Sequence, residues 1–225
     1  MQYEGVRDVA DGVHIVDRPQ RYNGIEVGAR MTVLQVDGGL LVHSPVDIDP
    51  TELEHLGEPR WALAPNLLHH LYVGRWAEAG LQTWAAPGLP EKRSDVDFDG
   101  VIDSGAHPFG DDIEVLSMRA FPMTNEVVVF HRPSRTLVVS DLVFNFDASA
   151  PWLTRAAMWC LCGYPGCKTT LLERFGMDRE IARREVEHIA EWDFDRLIMA
   201  HGQVIETGGK SALLRAFEWA GVDAP

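Results

Sequence analysis

The stretch Ala64-Pro65-Asn66-Leu67-Leu68-His69-His70-Leu71-Tyr72-Val73-Gly74 decides how the chain is read. The apolar run Arg60-Trp61-Ala62-Leu63-Ala64 before it has the length of a short buried strand and stops at Pro65, and Asn66 is placed to cap the turn or helix that follows. Two adjacent imidazoles therefore stand just beyond a strand end. In layered α/β proteins this is where ligands and metals collect. An isolated His-His pair more often has one ring in solvent and the other bonded to backbone, so its meaning rests on what else the chain brings to the same edge.

Outward from that stretch, the pattern recurs. Residues 12–17, 31–36 and 40–43 read as strands, the last two joined by the turn Asp37-Gly38-Gly39, and the third ends in His43-Ser44-Pro45. Residues 51–56 read as a short amphipathic helix with Asp49 or Thr51 as its cap and Pro50 near its first turn. Strands follow at 81–85 and 113–118, and 126–131 pairs with 136–141 as a hairpin across Arg132-Pro133-Ser134-Arg135. Asp141 stands where the second arm of that hairpin ends. A helix over 179–192 is expected to bury Ile181, Val186, Ile189 and Ala190. Residues 197–200 form a last buried strand that ends in His201-Gly202, and a helix over 210–219 closes the chain. Residues 148–175 differ in character, holding Trp152, Trp159 and all three cysteines, and read as an insertion or lid on a single domain spanning 1–225.

Composition excludes several functions. A chain of 225 residues that is 46% apolar can build one large core. Its net charge of −14 argues against nucleic acid, whose binding draws on clustered Lys and Arg. The start Met1-Gln2-Tyr3-Glu4 lacks the features of a signal peptide and no apolar run is long enough to span a bilayer, so a soluble, cytoplasmic protein with no membrane partner is expected. Cys160, Cys162 and Cys167 are odd in number and confined to one segment, which rules out a disulfide framework. Three thiols with no neighbouring His are read as ordinary cysteines rather than a metal site.

Collected, the polar residues at strand ends are His43, His69, His70, Asp141 and His201. His with Asp is the donor set of a borderline divalent metal such as zinc or iron. The order of these motifs resembles the metallo-β-lactamase superfamily: the opening hairpins, the His-rich loop after a strand, Ser140-Asp141-Leu142 after a hairpin, and Ala200-His201-Gly202 near the end. Val42-His43-Ser44-Pro45, Ala64-Pro65-Asn66 with His69-His70, and Phe130-His131-Arg132-Pro133-Ser134-Arg135 resemble an uncharacterised branch of it. The resemblance covers most of the chain and implies an α/β fold, the αββα four-layer sandwich, with metal ligands on loops at one edge.

The chain departs from that family's H-x-H-x-D-H loop. Aligned on His70, it has Pro65 and Leu67 in place of the first two histidines and His69 in place of the aspartate. The next family histidine falls at Met123, whose thioether is a poor zinc ligand. The resemblance therefore implies one divalent ion, zinc first, with iron or manganese as alternatives, held by His69, His70, Asp141 and His201. Four protein ligands complete a zinc tetrahedron, whereas a catalytic zinc needs an open position. Either one residue stays out of the ligand set, or the ion has a higher coordination number, or the site is structural. The expected function is hydrolysis of a small ester, lactone or amide, with Asp141 on the metal and His43 as general base from the rim. The alternatives are a non-catalytic member of the fold that binds a small anion or partner, and an iron-dependent oxidoreductase.

Overall fold

Alternation along Val127–His131 builds the middle of the molecule. Val127 and Val129 point into one apolar cluster, and Val128 and Phe130 point into another on the opposite face. The computed structural model describes residues 5–224, so the Met1–Glu4 start read above lies outside the described residues. The strands are β1 (Arg7–Ala10), β2 (Val13–Arg18), the small hairpin β3 (Arg21–Tyr22) and β4 (Ile25–Glu26), β5 (Ala29–Val36), β6 (Gly39–His43), β7 (Pro59–Ala64), β8 (Gln82–Ala85) and β9 (Gly100–Val101). After these come β10 (Ile113–Ser117), β11 (Val127–His131), β12 (Thr136–Val138), β13 (Phe144–Phe146), β14 (Gly166–Lys168) and β15 (Arg196–Ile198). The helices are α1 (Val73–Glu78), α2 (Leu89–Lys92), α3 (Trp152–Cys160), α4 (Leu171–Gly176), α5 (Arg179–Glu191) and α6 (Gly209–Ala216).

A seven-stranded sheet in the order β1-β2-β5-β6-β7-β8-β9 lies against a four-stranded sheet in the order β10-β11-β12-β15. Val13, Ile15, Leu34, Leu41, Trp61 and Leu63 of the first sheet meet Ile113, Val127, Val129, Val138 and Ile198 of the second in one shared core. The outer face of the first sheet packs Met31, Val33, Leu40 and Val42 on Leu53 and on Trp76 of α1. The outer face of the second packs Val128, Phe130, Leu137 and Leu197 on Ala182, Val186 and Ile189 of α5 and on Leu213 of α6. The layers are thus helix, sheet, sheet, helix: the αββα sandwich. Strand β6 runs parallel to β7 and β12 parallel to β15, so the loops after β7, β12 and β15 leave the sandwich with their strands' C-terminal ends.

Local chemistry explains most elements, and a few readings are corrected. The helix expected at 51–56 is a single 3-10 turn over Pro50–Leu53, capped by Asp49 with Glu52 reaching back. In α5 the buried positions are Ala182, Val186 and Ile189, whereas Ile181 is 37% exposed. The cap explains the shift: the Asp178 side chain accepts from Ile181 N, which fixes Ile181 in the first turn on the open side. His131 is buried, with Nδ1 on Ser134 Oγ and Nε2 on the Gln35 carbonyl. Among the described residues no helix is long and apolar enough to cross a membrane.

Candidate metal centre

The turn after β7 is shaped by Asn66. Its Oδ1 accepts from the backbone N–H of Leu68 (2.8 Å) and of His69 (2.7 Å), a cap without a helix behind it, since α1 starts only at Val73. That turn points the His69 ring across the sandwich edge. Asp141 arrives from the end of β12, where its own N–H and that of Ser140 donate to the buried Glu126 carboxylate at 2.8 and 2.6 Å. His201 arrives two residues after Met199, whose carbonyl accepts from the buried Arg30 guanidinium. Gly202 behind it has φ +92, and a Cβ there would run into the Asn145 carbonyl, so only glycine lets the loop pass close enough to β13.

His69, Asp141 and His201 converge. His69 Nε2 is 3.2 Å from His201 Nε2 and 3.3 Å from Asp141 Oδ2, and His201 Nε2 is 3.3 Å from Asp141 Oδ1. Among the described residues this is the one group of three His, Cys, Asp or Glu side chains whose donor atoms gather in this way. A tetrahedral ion with bonds of about 2.0–2.1 Å needs donor-to-donor edges of about 3.3–3.4 Å, close to the separation of the two Nε2 atoms, while the two Asp141 oxygens each face a different ring. The tautomers also suit a cation. His201 Nδ1 faces the Gly28 carbonyl at 2.8 Å, so it is the N–H, and neutral Nε2 keeps a lone pair aimed at the group; His69 Nδ1 is held by Ser44 Oγ at 2.8 Å. Three lone-pair atoms this close repel one another unless positive charge sits among them.

The electrostatics carry the same demand. Burial alone would push the His69 ring down, but the charge and hydrogen bond of Asp141, with Glu126 behind, outweigh it and leave the His69 pKa raised. Burial would likewise raise Asp141, yet the facing His69 and His201 rings hold it well below the usual carboxylate range. Glu126 is pushed up to about 7 by its own burial and by the Asp141 charge. Asn66 links the two acids, its Nδ2 donating to Asp141 Oδ2 at 2.8 Å and reaching Glu126 Oε2 at 3.4 Å.

Two expected participants stand elsewhere. His70 is not in the group, because Arg93 Nη1 lies 3.1 Å from its Nδ1 and donates to its carbonyl at 2.7 Å. Burial and the charges of Lys92 and Arg93 lower its pKa. Of the four expected ligands the structure brings together His69, Asp141 and His201 and leaves His70 outside the group. His43 is 1% exposed inside β6, and burial and the neighbouring His69 drive its pKa down to about 3. A general base must reach the proton it takes, so the placing of His43 at the rim is corrected too. In the segment expected to be a lid or insertion, the Trp152 and Trp159 side chains are exposed, and neither indole makes a hydrogen bond or ring contact among the described residues. The ring on His201 is Phe144, stacked at 5.7 Å with 16° between planes.

Sequence reading missed Glu126, Ser44 and Phe144 as supports of the site, and took Asn66 only as a cap. The signal for Glu126 was available: a carboxylate directly before Val127-Val128-Val129-Phe130 has no solvated strand face to sit on. Met123, at the position of a family histidine, is 71% exposed, and Leu67 packs beside Ala64, Val73 and Leu89. Cys160 and Cys162 are exposed, and burial raises the half-buried Cys167 thiol to about 12. An open cleft of about 540 Å³ beside Thr51, Glu54 and Leu81 shares no residue with the centre.

No protein-family model and no curated protein sequence matches the chain. Solved structures do. A metallo-β-lactamase from Erythrobacter litoralis with β-mercaptoethanol in its active site superposes with a TM-score of 0.70 at 14% identity, covering 98% of this chain and 98% of that one. DIM-1 metallo-β-lactamase exposed to ceftazidime superposes at 0.69 and 16% identity, covering 98% and 99%. FIM-1 from Pseudomonas aeruginosa in its mono-zinc form superposes at 0.66 and 13%, covering 97% and 96%. The chain has the metallo-β-lactamase fold over essentially its whole length.

Proposed function

We propose that this protein is a mononuclear metal-dependent hydrolase of a small ester, lactone or amide, with one divalent ion, zinc first, held by His69, Asp141 and His201. The observation that carries the reading is the convergence of His69, Asp141 and His201, each ring within 3.3 Å of an Asp141 oxygen and the two Nε2 atoms 3.2 Å apart, a donor set that suits one divalent ion. A single ion agrees with Pro65, Leu67 and Met123, which offer no imidazole for a second. The fold neighbours support it by kind, since they are metallo-β-lactamases and FIM-1 is known in a mono-zinc form.

A divalent ion held there supplies Lewis acidity, which polarises an acyl carbonyl and brings hydroxide within reach near neutral pH. The chain's own residues do the rest. Ser44 and the Gly28 carbonyl fix the two rings so that both Nε2 atoms face inward. Asn66 holds one Asp141 oxygen in place, and Glu126 holds the backbone of the residue that bears it. Phe144 covers one face of His201 and keeps water from it. Two neutral imidazoles and one carboxylate leave a divalent site at about +1, with the Arg93 guanidinium nearby, so the substrate expected is a small acyl compound that carries or develops negative charge.

The test is elemental analysis of protein purified without added metal, followed by a panel of chromogenic esters, lactones and amides assayed with and without chelator. The expected result is close to one ion per chain and hydrolysis that chelation abolishes and zinc restores. Absence of metal after zinc dialysis, together with hydrolysis untouched by chelator, would overturn the reading.

A further inference from the structure

The segment that carries Trp152 and Trp159 presents an apolar face to solvent. Along α3 the exposed residues are Trp152, Leu153, Ala156, Trp159 and Cys160, all within an arc of about 120° on a helix of 3.6 residues per turn, while Thr154 and Met158 lie on the buried side. The helix is held by that other side: Met158 packs with Phe146 and Ala150, and the Thr154 hydroxyl donates to the Glu26 carbonyl. Trp152 is 72% and Trp159 69% exposed. Helix α4 comes after strand β14, its first N–H from Leu171 bonded to the Leu161 carbonyl just past α3, and exposes Leu172 and Phe175, the latter at 86%. So much apolar area on one short segment marks an interaction surface.

Charge says which kind. Between Asp147 and Asp178 the only carboxylate is Glu173, and it is buried, accepting from Thr170 N and Oγ1 in the α4 cap. The same stretch holds Arg155, Lys168 and Arg174, each half-buried, with Arg174 also donating to Thr169. A segment with no exposed acid, on a chain whose net charge is −14, is a local reversal of sign around an apolar face. A second copy docked face to face would set these like charges against each other. An anionic lipid surface meets them with opposite charge and receives indoles at the depth they favour, ring in the acyl boundary and N–H in the headgroups. Repulsion from the acidic remainder is screened beyond about 8 Å at physiological ionic strength.

We infer that α3 and α4 dock this protein on an anionic lipid surface, with Trp152, Leu153, Trp159, Leu172 and Phe175 lying in the interface. This revises the expectation of no membrane partner, which rested on the lack of a spanning segment; a helix that lies on a membrane needs none. The inference is independent of the metal and of hydrolysis.

The experiment is co-sedimentation with phosphatidylcholine vesicles doped with phosphatidylglycerol, in parallel with pure phosphatidylcholine, and with light scattering of the free protein. Binding is expected to the doped vesicles, to weaken as salt rises, and to persist with chelator present. Replacing Trp152→Ser and Trp159→Ser together should lower the partition coefficient by about tenfold or more, given the area each indole buries. If that variant folds poorly, quenching of wild-type tryptophan fluorescence by brominated lipid reads the same contact. Failure to sediment with the doped vesicles overturns the proposal. So does a stable dimer that the serine pair dissociates, since a second copy then covers the face.

Discussion

Asn66→Ala is the substitution that most sharply tests how the centre is assembled. The side chain is fully buried and makes two kinds of contact: Oδ1 caps the N–H groups of Leu68 and His69, and Nδ2 donates to Asp141. Loss of a cap of this type costs about 1 kcal/mol. Leaving a buried carboxylate oxygen without its donor costs about 1–3 kcal/mol more. The expected loss in urea unfolding of the metal-free protein is therefore about 2–4 kcal/mol, with m unchanged because the surface exposed on unfolding is the same. The same contacts orient two of the three donors, so metal affinity should fall about 10- to 100-fold, as it does for other supports of ligand residues. Asn66→Asp separates the two contributions. It keeps the acceptor for the turn but turns a carboxylate toward Asp141 and Glu126, so it should be at least as destabilising as alanine near neutral pH and recover in acid. An alanine variant within about 0.5 kcal/mol of wild type that binds metal normally would refute the reasoning.

The other expectations are simpler. His201→Ala should abolish metal binding, and His70→Ala should leave it within about threefold, because Arg93 already occupies that ring; titration with a chromogenic metal indicator distinguishes a three-ligand from a four-ligand site. Gly202→Ala should destabilise by more than about 2 kcal/mol in thermal or urea unfolding, since φ +92 and the Asn145 carbonyl both oppose a Cβ. Glu126→Gln should alter the pH dependence of the metal-free protein. A carboxyl raised to about 7 in the fold binds a proton that the unfolded chain has lost, so wild-type stability should fall between the ordinary Glu value and 7 as pH rises. Glutamine should flatten that slope by an amount on the order of 1–3 kcal/mol, read from urea midpoints across the range. An unchanged slope would place the Glu126 proton elsewhere.

The layers of the fold were legible because each strand carries its own pattern. The continuous apolar run Val127–Phe130 marks a strand buried on both faces, and the Asp37-Gly38-Gly39 turn specifies the pairing of the strands it joins. Two of the three gathered donors, Asp141 and His201, were equally visible, each standing just after an apolar run, Asp141 behind Ser140 and His201 directly. What sequence order did not decide was which of two neighbouring imidazoles turns inward. That depends on Ser44, which draws His69 across the edge, and on Arg93, more than twenty residues further on, which holds His70 away from it. The tryptophans misled for a related reason. Spacing puts Trp152 and Trp159 on one helix face, but which face is buried is settled by Thr154 and Met158 finding partners on the body of the protein.

The centre has one physical property from which its behaviour follows: it gathers acceptors faster than it gathers positive charge. Two inward lone pairs, the Asp141 carboxylate and the Glu126 carboxylate stand within one buried network, and its nearest buried donors are backbone N–H groups and the Asn66 amide. Without a metal the only mobile positive charge is the proton, and the raised pKa values of His69 and Glu126 are the mark of protons drawn in to balance the cluster. A divalent ion answers the same demand at the point where the three donors meet. Its entry would compete with the proton around His69, so metal uptake would be linked to proton release. That coupling explains why a buried Glu can stand directly behind a ligand Asp. Alone, the pair of acids would be costly in a dry interior; beside a cation they would complete its balance, with Glu126 holding the Asp141 backbone and leaving the Asp141 side chain free to face the cation.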